Sequence, residues 1–209
     1  MHSLVSERSR IPLLVLAALA VVVLVAPFPG ESLSVAVTRL LGSAGSKIAG
    51  VSSLSDGVLV ILAVCTVAAL VWVWRRAPEQ RRPTAFAAIG VVVAFVVSEG
   101  AKLMFAQPRP CTRWPIASEC PAMDFSLPSN HATLAFGALL VITVATRTLA
   151  VTVVASALAL IVGIGRMLEG VHYFHDVAAG ALLGLAIPAA LTAMAGAKWR
   201  KNRGNVPNG

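Results

Sequence analysis

Charge is scarce in this chain. Asp, Glu, Lys and Arg make up 12% of its 209 residues, where a soluble domain carries about 25%. With a 57% hydrophobic share and a mean hydropathy of +0.83, that shortfall excludes an ordinary soluble globule. Aromatic residues are also few, at 6% with a single tyrosine, and no long basic run interleaves with them. The net charge of +8 therefore does not mark a nucleic-acid partner. The basic residues fall in short loops between apolar runs, the distribution that orients a membrane protein. Only three cysteines are present, with no second Cys or His pair at zinc-site spacing, so no metal site is expected.

Long, nearly uncharged runs are what the chain has in quantity. They predict an all-α membrane protein, a six-transmembrane-helix bundle forming one domain over residues 1–209. The spans are expected at about residues 11–28, 57–74, 84–105, 129–146, 149–168 and 174–195. The first resembles a signal peptide in layout, but no small-x-small cleavage site precedes Pro27 and Pro29, so it reads as an uncleaved span. Residues 31–54 mix apolar positions with Ser, Thr, Arg39 and Lys47 and are too polar to span. They read as an amphipathic helix along the interface, or as a folded loop with helical turns. Gly180 and Gly184, four apart on the last span, suit close helix packing. Cys65 reads as a small buried packing residue. Cys111 and Cys120 share one proline-rich loop; a disulfide fits there if the loop faces an oxidising compartment, and two free thiols otherwise.

Six spans put the amino end, the loop from Arg75 to Arg82, Arg147 and the tail from Lys198 to Arg203 on one side. That side holds most of the basic residues, so both termini are expected in the cytoplasm of a bacterial cell membrane. The opposite, extracytoplasmic face then receives four successive span ends. Lys102 and Arg109 close the third, Ser129 and His131 open the fourth, Arg166 closes the fifth, and His172 and Asp176 open the sixth.

Charges at a membrane boundary are costly to desolvate and need partners or a task. Three cations with two histidines suit an anion bearing several oxygens, most simply a phosphate. Ser129 follows Pro128 at a helix start, where its hydroxyl caps the helix or donates to the anion, and free N–H groups add to the attraction. His172 and Asp176 stand four apart, on one helical face. A carboxylate on one ring nitrogen would leave the other free to attack phosphorus, with His131 as general acid. No cofactor and no metal is required, because fixed cations neutralise the charge. Glu99, three before Lys102, reads as its ion-pair partner and a support for the site. His175 reads as a structural histidine; Arg113, Glu119 and Asp124 read as solvated loop charges.

Lys102-x6-Arg109-Pro110, Pro128-Ser129-Asn130-His131 and Arg166-x5-His172-x3-Asp176 together resemble the type 2 phosphatidic acid phosphatase superfamily. The resemblance implies a phosphohistidine on His172, proton donation by His131 and orientation of His172 by Asp176. It also implies that Lys102, Arg109, Ser129, Asn130 and Arg166 hold the phosphoryl oxygens. Two positions depart from the family's pattern: Asn130 stands where glycine is usual, and Gly165 where serine usually precedes the arginine. The expected substrate is a lipid-linked phosphate presented by the bilayer. The stretch from Asp124 to Thr133 is similar to bacterial undecaprenyl-diphosphatases; phosphatidate and phosphatidylglycerol phosphate are the alternatives, and a non-hydrolytic lipid-phosphate transporter is the more distant one.

Overall fold

The computed structural model describes residues 32–116, 120–121 and 124–204, with side chains described as far as residue 195. The expected span at 11–28 and Glu119 lie outside the described residues. Six α-helices account for most of what is described: α1 (Leu33–Gly45), α2 (Val51–Arg76), α3 (Arg81–Phe105), α4 (Asn130–Thr146), α5 (Leu149–Leu168) and α6 (Phe174–Gly204). Single 3-10 turns at Pro78–Gln80 and Pro110–Thr112 flank α3.

Four of the described helical segments are long and apolar enough to cross a membrane, and α1 and α4 are shorter. The outer helices turn Val60, Val64, Val92, Val96, Val153 and Val154 outward. In water such a surface would aggregate; in a bilayer it is the required one. Cys65 is on this exposed side rather than in the core. The sequence cannot distinguish an inward from an outward small residue in a helix that is apolar all round.

The core sits around α4. Its Ala135, Phe136, Ala138, Leu139 and Ile142 pack with Leu62 and Val73 of α2, Ala159 and Val162 of α5, and Ala181 of α6. Helix α4 is only 17 residues long, or about 26 Å at 1.5 Å per residue, because Ser129 starts it and Arg147, in the left-handed conformation at φ 53°, stops it. Ser129 Oγ accepts the N–H of Ala132 at 3.5 Å.

Gly180 and Gly184 are where α6 meets α4. A Cβ on Gly184 would stand 2.3 Å from the Thr133 carbonyl oxygen, and one on Gly180 would stand 2.3 Å from that of Ser129. Backbone cannot move aside as a side chain would. Gly184→Ala is therefore expected to cost about 1–3 kcal/mol and to lower the thermal unfolding midpoint in detergent, whereas alanine at the open Gly57 should leave it in place.

Of the expected segment 31–54, the described residues 32–54 hold a 13-residue helix, α1, and the first turn of α2. One face of α1 is buried, through Ser34, Val35, Thr38, Gly42 and Gly45. That face grips the α5–α6 joint. Thr38 Oγ1 accepts the N–H of Phe174 at 3.0 Å, and Ser34 Oγ accepts that of His175 at 3.1 Å. A cap for the start of α6 is thus supplied from far away in the chain.

Candidate active site

Tight joints bring His172, Arg109 and Asp176 together below the surface; all three are buried. Nδ1 of His172 lies 2.8 Å from the Ser126 carbonyl oxygen. A carbonyl only accepts, so Nδ1 carries the hydrogen and Nε2 keeps its lone pair. The Arg109 guanidinium donates from Nη1 to the Val171 carbonyl at 3.1 Å and reaches within 3.3 Å of His172 Nε2. Burial first, then the charges of Arg109 and Arg166, hold the His172 pKa well below its ordinary value. At neutral pH this is an unprotonated imidazole aimed at a guanidinium.

Asp176 stands one step back from where the spacing suggested. Its nearer oxygen is 3.6 Å from His172 Nδ1, outside hydrogen-bond range. It accepts instead from the Tyr173 N–H at 2.7 Å and from Gln107 Nε2 at 2.8 Å. The direct partner of His172 is the Ser126 carbonyl, so the carboxylate acts on the ring through its charge and through the joint it pins. His175 completes this layer. It contacts Ser34 Oγ at 2.8 Å and Gln107 Oε1 at 3.0 Å, and stacks on Tyr173 at 5.2 Å.

Every cation of the site has a carboxylate against it. Lys102 Nζ is 3.4 Å from Glu99 and 3.3 Å from Asp124. Arg109 Nη2 meets the other oxygen of Asp124 at 2.5 Å. Arg166 Nη1 lies 2.6 Å from Glu169 and 3.7 Å from Asp56. Asp124, expected to be a solvated loop charge, instead bridges two of the cations.

The third group lies at the start of α4. Ser129 is fully buried, and its N–H donates to the Asp176 carbonyl at 3.0 Å, which joins the α4 and α6 ends directly. Asn130 uses its side chain: Nδ2 donates to Glu99, and Oδ1 accepts from Ser98 at 2.8 Å. Its amide therefore points back to α3, a use that the glycine usual in the family would lack. His131 Nε2 is 2.9 Å from Asp56 Oδ1.

Gly165 has a local explanation. A Cβ there would lie 2.7 Å from Ser55 Cβ, so the missing side chain is what admits the first turns of α2. That approach brings Ser55 to Glu169, with which it hydrogen-bonds, and Asp56 to both His131 and Arg166. Asp56, Gln107, Ser126 and Glu169 were not singled out from the sequence.

Cys111 and Cys120 form a disulfide with Cα atoms 5.7 Å apart. It closes the loop that follows Arg109, and Trp114 of that loop packs edge-on against Tyr173 at 6.4 Å. A separate cleft of about 570 Å³ opens between α1 and Trp114–Ile116, with Arg39 over the Trp114 ring at 5.4 Å. None of the motif residues lines it.

Comparison with known proteins bears on the fold and the family. The first transmembrane PAP2-type phosphatidylglycerolphosphate phosphatase from Bacillus subtilis is similar at 16% identity, over 88% of this chain and 94% of that one, with a TM-score of 0.60. Aquifex aeolicus LpxE is similar at 22% identity over 65% of this chain and 85% of that one, with a TM-score of 0.49. A search of the curated proteins finds no match. The family model of the PAP2 superfamily matches residues 57–200, a stretch that contains all three motifs and well over half of the chain. The protein belongs to the PAP2 superfamily and is a membrane-embedded phosphatase of lipid phosphates.

Proposed function

We propose that the protein hydrolyses a polyprenyl diphosphate, of the undecaprenyl type, to the monophosphate at the extracytoplasmic face of a bacterial cytoplasmic membrane. The observation that carries the reaction is the His172 ring, tied through Nδ1 to the Ser126 carbonyl and unprotonated at Nε2, which faces Arg109 Nη1 at 3.3 Å. Nε2 attacks the terminal phosphorus, the bridging P–O bond breaks, and its electron pair stays on the lipid phosphate oxygen. His131 supplies the proton that this oxygen takes up. Water then attacks the phosphohistidine, with the now neutral His131 as base, and phosphate leaves while His172 is regenerated. Lys102, Arg109 and Arg166 balance the charge on the equatorial oxygens, joined by the Ser129 hydroxyl and by backbone N–H groups at the start of α4. Asp176 steadies the His172 joint.

Three features support the location and the substrate. Arg75, Arg76, Arg81 and Arg82 lie at the opposite end of α2 and α3 from the site, as the positive-inside rule asks of a cytoplasmic face. The disulfide beside Arg109 suits an oxidising compartment. The stretch from Asp124 to Thr133 resembles the undecaprenyl-diphosphatase subgroup. Phosphatidate and phosphatidylglycerol phosphate are the rival substrates within the same chemistry.

The test is phosphate release by the purified protein in detergent with chelator present, using undecaprenyl diphosphate, phosphatidate and phosphatidylglycerol phosphate. The diphosphate is expected to give the highest kcat/KM, without added metal. A higher value for either glycerolipid would reassign the substrate. Binding without release from all three would leave a transporter.

A further inference from the structure

Two cations of the proposed phosphate site share one carboxylate, that of Asp124. Asp124 presents one carboxylate oxygen to Lys102 Nζ at 3.3 Å and the other to Arg109 Nη2 at 2.5 Å. Two oxygens of a bound phosphoryl group would make the same two contacts. The other arm of Arg109 is the one beside His172 Nε2, at 3.3 Å. Attack needs phosphorus within about 3–3.5 Å of that nitrogen, so substrate and Asp124 compete for the same guanidinium.

We infer that Asp124 is a built-in competitor of the substrate: it occupies the phosphate position, is displaced by a lipid phosphate, and thereby discriminates against free phosphate. The inference rests on the phosphate site proposed above. Burial pulls the Asp124 carboxyl upward, but its hydrogen bond to Arg109 and the charges of Arg109 and Lys102 outweigh that and hold it below the usual range. The group is therefore charged at neutral pH.

Its freedom to leave is also visible. The Asp124 side chain is 43% exposed. The strand of chain behind it is pinned elsewhere: the Ser126 N–H donates to the Gln107 carbonyl at 2.9 Å, and the Ser126 carbonyl takes the His172 hydrogen. Swinging Asp124 out disturbs neither bond. A lipid phosphate brings the burial of its tail and its own place in the bilayer to the exchange, so it displaces the carboxylate. Inorganic phosphate brings only its charge, and after hydrolysis the returning carboxylate helps to expel it.

The experiment is titration calorimetry of inorganic phosphate into the full chain in detergent, for the wild type, Asp124→Asn and Asp124→Ser. Both variants are expected to bind phosphate on the order of tenfold more tightly, equivalent to about 1.4 kcal/mol. Competitive inhibition of lipid hydrolysis by phosphate should strengthen by the same factor. A carboxylate that merely braces Lys102 and Arg109 predicts the opposite sign, because its loss would let both cations wander and weaken binding. Unchanged or weaker binding in both folded variants would overturn the inference while leaving the phosphate site intact. If the wild type and both variants bind no phosphate, and Arg109→Ala changes nothing, the site itself is misassigned and the inference falls with it.

Discussion

His172→Ala is expected to reduce phosphate release on the order of 10³-fold or more, because removing a covalent nucleophile leaves only the binding groups. Lipid binding should persist, since Lys102, Arg109 and Arg166 remain. His172→Asn makes the sharper test. Its amide can donate to the Ser126 carbonyl much as Nδ1 does, so that bond survives while nucleophilicity is lost. Rapid quench with a labelled substrate should trap an acid-labile phosphoenzyme in the wild type and none in either variant. The sign of the pH dependence follows from the burial and the cations around this ring. Attack requires the unprotonated form, and the His172 pKa is held well below its ordinary value of 6.5. The nucleophile should therefore stay available as pH falls through 6.5, while the proton donor His131, its own pKa lowered by burial and Arg166, gains protons. On the way down kcat/KM should rise, and drop only when His172 itself protonates. A phosphoenzyme in His172→Ala would exclude this residue as the nucleophile.

Arg109→Lys should cost nearly as much as Arg109→Ala, on the order of 10²–10³-fold in kcat, the loss typical of a donor to developing negative charge. One guanidinium here does three jobs. Nη1 anchors to the Val171 carbonyl and faces His172, while Nη2 faces Asp124. A lysine ammonium supplies the charge but not a rigid fork, and it cannot hold the joint and the phosphate at fixed separation. Arginine at this depth is also buried almost completely, so its removal leaves the Val171 carbonyl short of a donor. Steady-state kinetics will separate the two effects. A change confined to KM would mean that Arg109 only gathers substrate, whereas the expected fall in kcat places it on the transition state.

The sequence made the helix ends legible, because charge in so apolar a chain is confined to them. Lys102, Arg109, Ser129, His131, Arg166, His172 and Asp176 are recoverable that way, and the structure puts them at one end of the bundle. The partners were harder to see, each for a physical reason. The acceptor for His172 is a backbone carbonyl, at Ser126, and every residue has one of those. Asp56 falls just before the apolar run that was expected to span from about residue 57, whereas α2 begins at Val51. Its approach to His131 depends on the absence of a side chain at Gly165, a relation between residues more than a hundred positions apart. Gln107 lies in the proline-rich loop outside all three motifs. It bonds Ser126, Asp176 and His175 together. The grip of α1 on the same joint was equally hidden, since Ser34 and Thr38 sit in a segment whose polarity suggested an interfacial helix or a folded loop with helical turns.

The pairing of Lys102, Arg109 and Arg166 with Glu99, Asp124, Asp56 and Glu169 bears on how a substrate molecule first arrives. A bare cluster of cations would project a field into the surrounding water and draw in every soluble anion at a rate that falls with ionic strength. Opposite charges a few ångströms apart cancel at any distance beyond about one Debye length, roughly 8 Å in physiological salt. Encounter is then left to sideways diffusion within the leaflet, and turnover at low substrate density should track lipid mobility and stay nearly flat as salt is raised.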